Sequence, residues 1–78
     1  GDTATAVPIL ERALAIREAG GVQPEEIAET RFSLARALAP TQPQRARTLA
    51  EQALRALATS GGSAREHAEI AAWLAAHP

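Results

Sequence analysis

The chain has 78 residues, which sets one domain as the ceiling, and its eight basic residues (all Arg) are scattered against nine acidic ones, so no clustered basic face marks a nucleic-acid partner. Cysteine is absent, which removes disulfides, thiolate chemistry and cysteine-based zinc sites. No stretch approaches 18 consecutive apolar residues, and no charged start leads into an apolar run, so neither a helical membrane span nor a signal peptide is expected. The chain starts at Gly1 rather than Met, the expectation for a fragment or for a chain from which a tag has been cleaved. Ala fills 20 of 78 positions, and Asn, Lys, Tyr and Met are missing. Ala is the best helix former and β-formers are few, so an all-α domain is expected. Large apolar residues number only 16, so either Ala must let helices approach closely or the fold leans on neighbouring segments.

Four helices are expected, over residues 5–19, 24–39, 43–59 and 63–77. Pro8 is tolerated best in a first turn, which points to Thr5 or Thr3 as the cap of the first helix, and Gly20-Gly21 ends it by offering the left-handed conformation cheaply. Its apolar arc is wide: Val7, Leu10 and Leu14 lie on one side and Ile9, Ala13 and Ile16 on the other, as suits a helix held between neighbours. The second helix opens with Pro24 at its first position, with Glu25 and Glu26 at the positive end of the dipole, and Pro40 stops it. Ile27, Leu34 and Leu38, with Ala28 and Ala35 alongside, form its core face. The third starts near Pro43 and ends before Gly61-Gly62. Its face is Ala46, Leu49, Ala50, Ala53, Leu54 and Leu57, and Glu51 and Arg55 have the spacing of a favourable ion pair. In the fourth, Ser63 and Glu66 have capping-box spacing, and Ile70, Ala71 and Leu74 face inward. Short connections make successive helices antiparallel neighbours.

Shifted by 40 positions, the chain matches itself. Ala6 meets Ala46, Glu11 meets Glu51, Ala13 meets Ala53 and Leu14 meets Leu54; Gly21 meets Gly61 across the turn; and the next helix adds Glu26/Glu66, Ala28/Ala68, Glu29/Glu69, Leu34/Leu74 and Ala35/Ala75. A period of this length holding two helices is a solenoid signature, because one hairpin cannot bury its apolar face alone.

The segments AVPILERALAIRE and ARTLAEQALRAL resemble the second helix of a tetratricopeptide repeat, through Ala6, Leu10 and Ala13 and through Ala46, Ala50 and Ala53. Leu34, Ala35 and Leu38 match the first-helix pattern of that family. The period near 40 and the ERALAIRE wording are closer to the longer, kinesin-light-chain-like subtype. The resemblance covers nearly the whole chain, in the order second, first, second, first helix, so the chain begins in mid-repeat. It looks like the C-terminal repeat segment of a larger bacterial protein, such as a serine/threonine kinase with a helical-repeat tail. It implies an all-α, TPR-like α-solenoid fragment of four helices, cytoplasmic, that binds a protein or peptide on the concave face of its second and fourth helices. Arg31 and Leu38 stand where the family places Trp and Tyr, and Ala50 where it places a large aromatic. Phe32 and Ser33 stand where the subtype places an Asn pair that clamps peptide backbone, so that clamp cannot exist here.

The candidate partner-binding residues are Arg31, Phe32, Ser33, Arg36 and Trp73. Trp73, the only Trp, is read either as an aromatic anchor for a partner or as a cap on the last core layer, with His77 four residues on and able to stack on it. Phe32 poses the same choice. Arg31 either pairs with a carboxylate of a bound peptide or lays its stem over apolar surface. His67 and His77 lie ten residues apart, about 15 Å along a helix, so no metal site is expected. No Ser, His and acid form a recognisable triad and no glycine motif cradles a phosphate, so neither catalysis nor a cofactor is expected. The second reading is structural: exposed repeat edges would make the chain self-associate as a homo-oligomer, or dock on its parent protein.

Overall fold

The computed structural model describes residues 3–21, 23–60 and 64–77, which fold as four helices: α1 (Thr3–Ala19), α2 (Pro24–Leu38), α3 (Pro43–Ser60) and α4 (Ala64–Ala76). Each packs on the next in sequence, and the α2–α3 contact is the most extensive. The fold is all-α, built of helix hairpins, with no strand among the described residues. Its extents are 33 × 30 × 18 Å, so the slab is about two helix diameters thick.

The stops act as their chemistry requires. At the end of α1, the Gly20 N–H donates to the carbonyls of Ile16 (3.0 Å) and Arg17 (3.3 Å), and Gly21 adopts φ +68°. At the start of α2, the Gln23 carbonyl accepts from the N–H groups of Glu26 (3.0 Å) and Ile27 (3.2 Å), and Pro24 follows, where an N–H would have no partner. α2 closes at Leu38, one residue earlier than expected. Ala39 keeps helical angles, but Pro40 has no N–H to continue with, and the Leu38 carbonyl instead accepts from Thr41 (3.0 Å) and Gln42 (2.7 Å).

Three further boundaries differ. α1 starts at Thr3, so Thr5 lies inside the helix rather than capping it, and Pro8 falls in the second turn. The ring's φ suits a helix, and the loss is the single hydrogen bond to the Ala4 carbonyl. α3 extends to Ser60, and α4 ends at Ala76. The expected Ser63 cap lies outside the described residues.

The core is Ala28, Leu34, Ala35 and Leu38 of α2, Ala46, Leu49, Ala50, Ala53 and Leu57 of α3, and Ile70 and Leu74 of α4. α1 adds Val7, Leu10 and Leu14 at its edge. Thr30 is buried as well, and its hydroxyl donates to the Glu26 carbonyl at 3.0 Å, which satisfies it. Three expected core residues are less covered: Ile27 and Leu54 are half-buried and Ala71 is exposed. Leu54 borders a surface hollow with Glu51, Arg55 and Leu74, because α4 covers α3 less fully than α2 does. Glu51 pairs with Arg47 (3.7 Å) rather than with Arg55. α1 packs along α2, and ion pairs add to that contact: Arg17 with Glu26 (3.7 Å), Arg31 with Glu18 (2.9 Å), and Arg45 of α3 with Glu11.

Leu34→Ala should lower unfolding free energy by about 2–5 kcal/mol in urea titrations, and Leu54→Ala by under about 2 kcal/mol, because the half-open site leaves a smaller cavity. Gly21→Ala should cost about 1–2 kcal/mol through backbone strain alone, since nothing lies within 4 Å of the added Cβ.

Candidate functional site

α2 turns Glu29, Ser33 and Arg36 outward at a spacing of three to four residues, with Phe32 on the shoulder nearest α4. Opposite them α4 sets Glu66, Glu69 and Ile70, and Leu57 of α3 closes the floor. The concavity between them holds about 160 Å³. Glu29 and Ser33 also border a second hollow, over Leu10, Ala13 and Arg17, so the depression continues across α2 towards α1.

One row of rings and a cation bridges the two helices. The Arg36 guanidinium lies 5.7 Å from the Phe32 ring centre, within cation–π range. Phe32 meets Trp73 edge to face, centres 5.9 Å apart and planes at 90°. Trp73 stacks on His77, as the four-residue spacing allowed, with centres 4.0 Å apart and planes at 15°. His77 Nδ1 lies 2.8 Å from the Trp73 carbonyl; a carbonyl only accepts, so Nδ1 carries the proton. The indole is therefore held on two sides, half-buried against the core with part of it still open to solvent.

Arg47 of α3 fixes the end of α4. Its Nη1 donates to the carbonyl of His77 (2.9 Å), just past the helix terminus, and to that of Leu74 (3.1 Å), which also accepts from the His77 N–H (3.2 Å). The sequence offered no signal for this bond, because Arg47 reads there as one of the polar residues on the outer face of the third helix. The Phe32–Trp73 contact was likewise invisible locally, spanning 41 positions of chain.

Phe32, Ser33, Arg36 and Trp73 are thus brought to one face. Arg31 is not. It stands two residues from Ser33, about 200° around the helix, and its guanidinium is bonded to Glu18 of α1. Among the described residues no group of three or more His, Asp or Glu side chains converges as a metal would need, and no helix is long and apolar enough to cross a membrane. No protein-family model, curated protein or solved structure matches this chain.

Arg47→Ala should speed amide exchange in the last turn of α4 and lower stability by about 1 kcal/mol, because a partly exposed charged donor to two carbonyls is lost. Hydrogen–deuterium exchange would locate the change at Trp73–Ala76.

Proposed function

We propose that the chain is a non-catalytic interaction module of tetratricopeptide type that seats a peptide or a helix of a protein partner in the cleft between α2 and α4. The observation that carries this reading is that Phe32, Ser33 and Arg36 line one concavity, with Trp73 packed edge to face on Phe32 beside it and both aromatic rings held in place. Buried aromatic anchors supply most of the energy of such contacts, and rings already fixed lose little freedom on binding. A concavity of about 160 Å³ is below the usual range of roughly 300–1,000 Å³ for metabolite sites, and it suits one side chain of a longer ligand. The continuation of the depression across α2 gives the rest of that ligand a path.

Charge narrows the ligand. Glu29, Glu66 and Glu69 border the cleft against one cation, Arg36, so a basic side chain is favoured there and an acidic one is repelled. Arg31 contributes at a distance, by joining α2 to α1 through Glu18.

A displayed library of random peptides selected on the chain tests this. The selected sequences should be enriched in Arg and Lys, and their affinity should fall at least tenfold on Phe32→Ala or Glu69→Lys and little on Arg31→Ala. Trp73→Ala should weaken binding while far-UV circular dichroism stays near that of the parent. Failure to select any peptide, or binders indifferent to Phe32 and Glu69, would remove the cleft as the site.

A further inference from the structure

We infer that Arg36 is the cleft's own occupant: its guanidinium holds, over the Phe32 ring, the seat of an arginine side chain of the partner, and binding displaces it. This rests on the reading of the cleft as a peptide site, and it names the side chain that enters.

Arg36 stands in the last turn of α2, exposed, and lines the concavity between α2 and α4. Glu29, Glu66 and Glu69 line the same concavity. Arg17, Arg31, Arg45 and Arg47 each pair with a glutamate. Among the described residues Arg36 pairs with none, although three share its hollow; its contact is the Phe32 ring, 5.7 Å from guanidinium carbon to ring centre. Glu29 and Glu69 likewise have no ion-pair partner among the described residues. The hollow therefore holds a ring with a cation on it and two carboxylates with none.

Glu29 and Glu69 are counterparts at the 40-residue offset, so α2 and α4 each supply one carboxylate. Between them lie Phe32 and the buried Leu57 and Ile70. A guanidinium suits this set. It is planar, less hydrated than an ammonium, stacks on an aromatic face, and carries a fork of N–H donors for carboxylates. Arg36 meets only the ring, because its stem rises from α2 one turn beyond Phe32. An arginine arriving from outside is free of that tether and can meet ring and carboxylates together. Phe32 is half-buried, backed by its own helix and by Trp73, and Arg36 lies over what is left. Two like charges do not share that surface, so the partner's affinity is reduced by the fraction of time Arg36 holds it.

Heteronuclear NMR titration of the 78-residue chain with the tripeptide Ac-Ala-Arg-Ala-NH2 tests the inference. Saturable shifts are expected at Glu29, Phe32 and Glu69. The lysine tripeptide should bind at least threefold more weakly, and the citrulline tripeptide, of the same shape without the charge, should give no shift. Arg36→Gln should bind the arginine tripeptide at least threefold tighter, with circular dichroism unchanged. The gain should survive ~0.5 M sodium chloride, where mere repulsion between exposed charges is screened. Should glutamine disturb the end of α2, Arg36→Ala serves in its place. If the arginine tripeptide binds and Glu69→Lys abolishes it, yet Arg36→Gln leaves affinity equal or lower, the inference falls and the cleft stands. A gain that vanishes in salt, or a lysine tripeptide that binds equally well, also overturns it. No binding to the parent or to Arg36→Gln removes the cleft and the inference together.

Discussion

Ala28 and Ala35 on α2 and Ala46, Ala50 and Ala53 on α3, the two helices in the most extensive contact, keep no surface open to water. Small side chains at such a contact let two helices approach towards the short end of the roughly 8–10 Å range of interaxial distances. Every other packing relation follows from this hairpin. Leu34, Leu38, Leu49 and Leu57 fill its margins, α1 rests on one flank with its own leucines, and α4 rests on the other through Ile70 and Leu74. Few large residues are needed because the close approach replaces volume with dispersion contact. The turn that makes the hairpin is equally economical: past Pro40, which has no N–H to give, the Leu38 carbonyl takes the N–H groups of both Thr41 and Gln42 that lead into α3.

The candidate site is a consequence of that arrangement. With α2 on one side of α3 and α4 on the other, Phe32 reaches Trp73, and Phe32, Leu57 and Ile70 line a shallow cleft between the helices. The ring row from Arg36 to His77 then links helices that share little backbone contact. Arg47 adds a second tie, from α3 to the end of α4, and so keeps the segment that bears Trp73 in place. The walls of the cleft are therefore fixed by contacts within the chain itself.

The internal repeat is a sequence fact that the structure treats unevenly. Leu14 and Leu54 occupy like surroundings, both half-buried beside the next helix in the chain, and Leu34 and Leu74 are both buried. Ala28 and Ala68, identical at the same register, differ completely, as do Leu49 and Ile9 in exposure. The difference lies in the number of neighbours rather than in the residues: an inner helix is covered on two flanks and an outer one on a single flank. Such end faces are the ordinary condition of a repeat stack, whose energetics run from each unit to the next.

The sequence by itself determined the four helices, the stops of α1 and α2, and most of the buried faces of α2 and α3. Proline and glycine signals and a 3.6-residue period act within a turn or two of chain, where no distant contact is needed to read them. It also placed Trp73 at the register of Ser33, since the 40-residue offset carries a position on α2 to its counterpart on α4. Tertiary structure alone decided which of two equivalent flanks is covered, that Arg31 reaches Glu18 on α1, that Leu54 stays half open, and that Arg47 bonds the last carbonyls of α4. Those outcomes depend on how helices sit against one another, and the reach of a long side chain across a groove has no signature in the local pattern of residues.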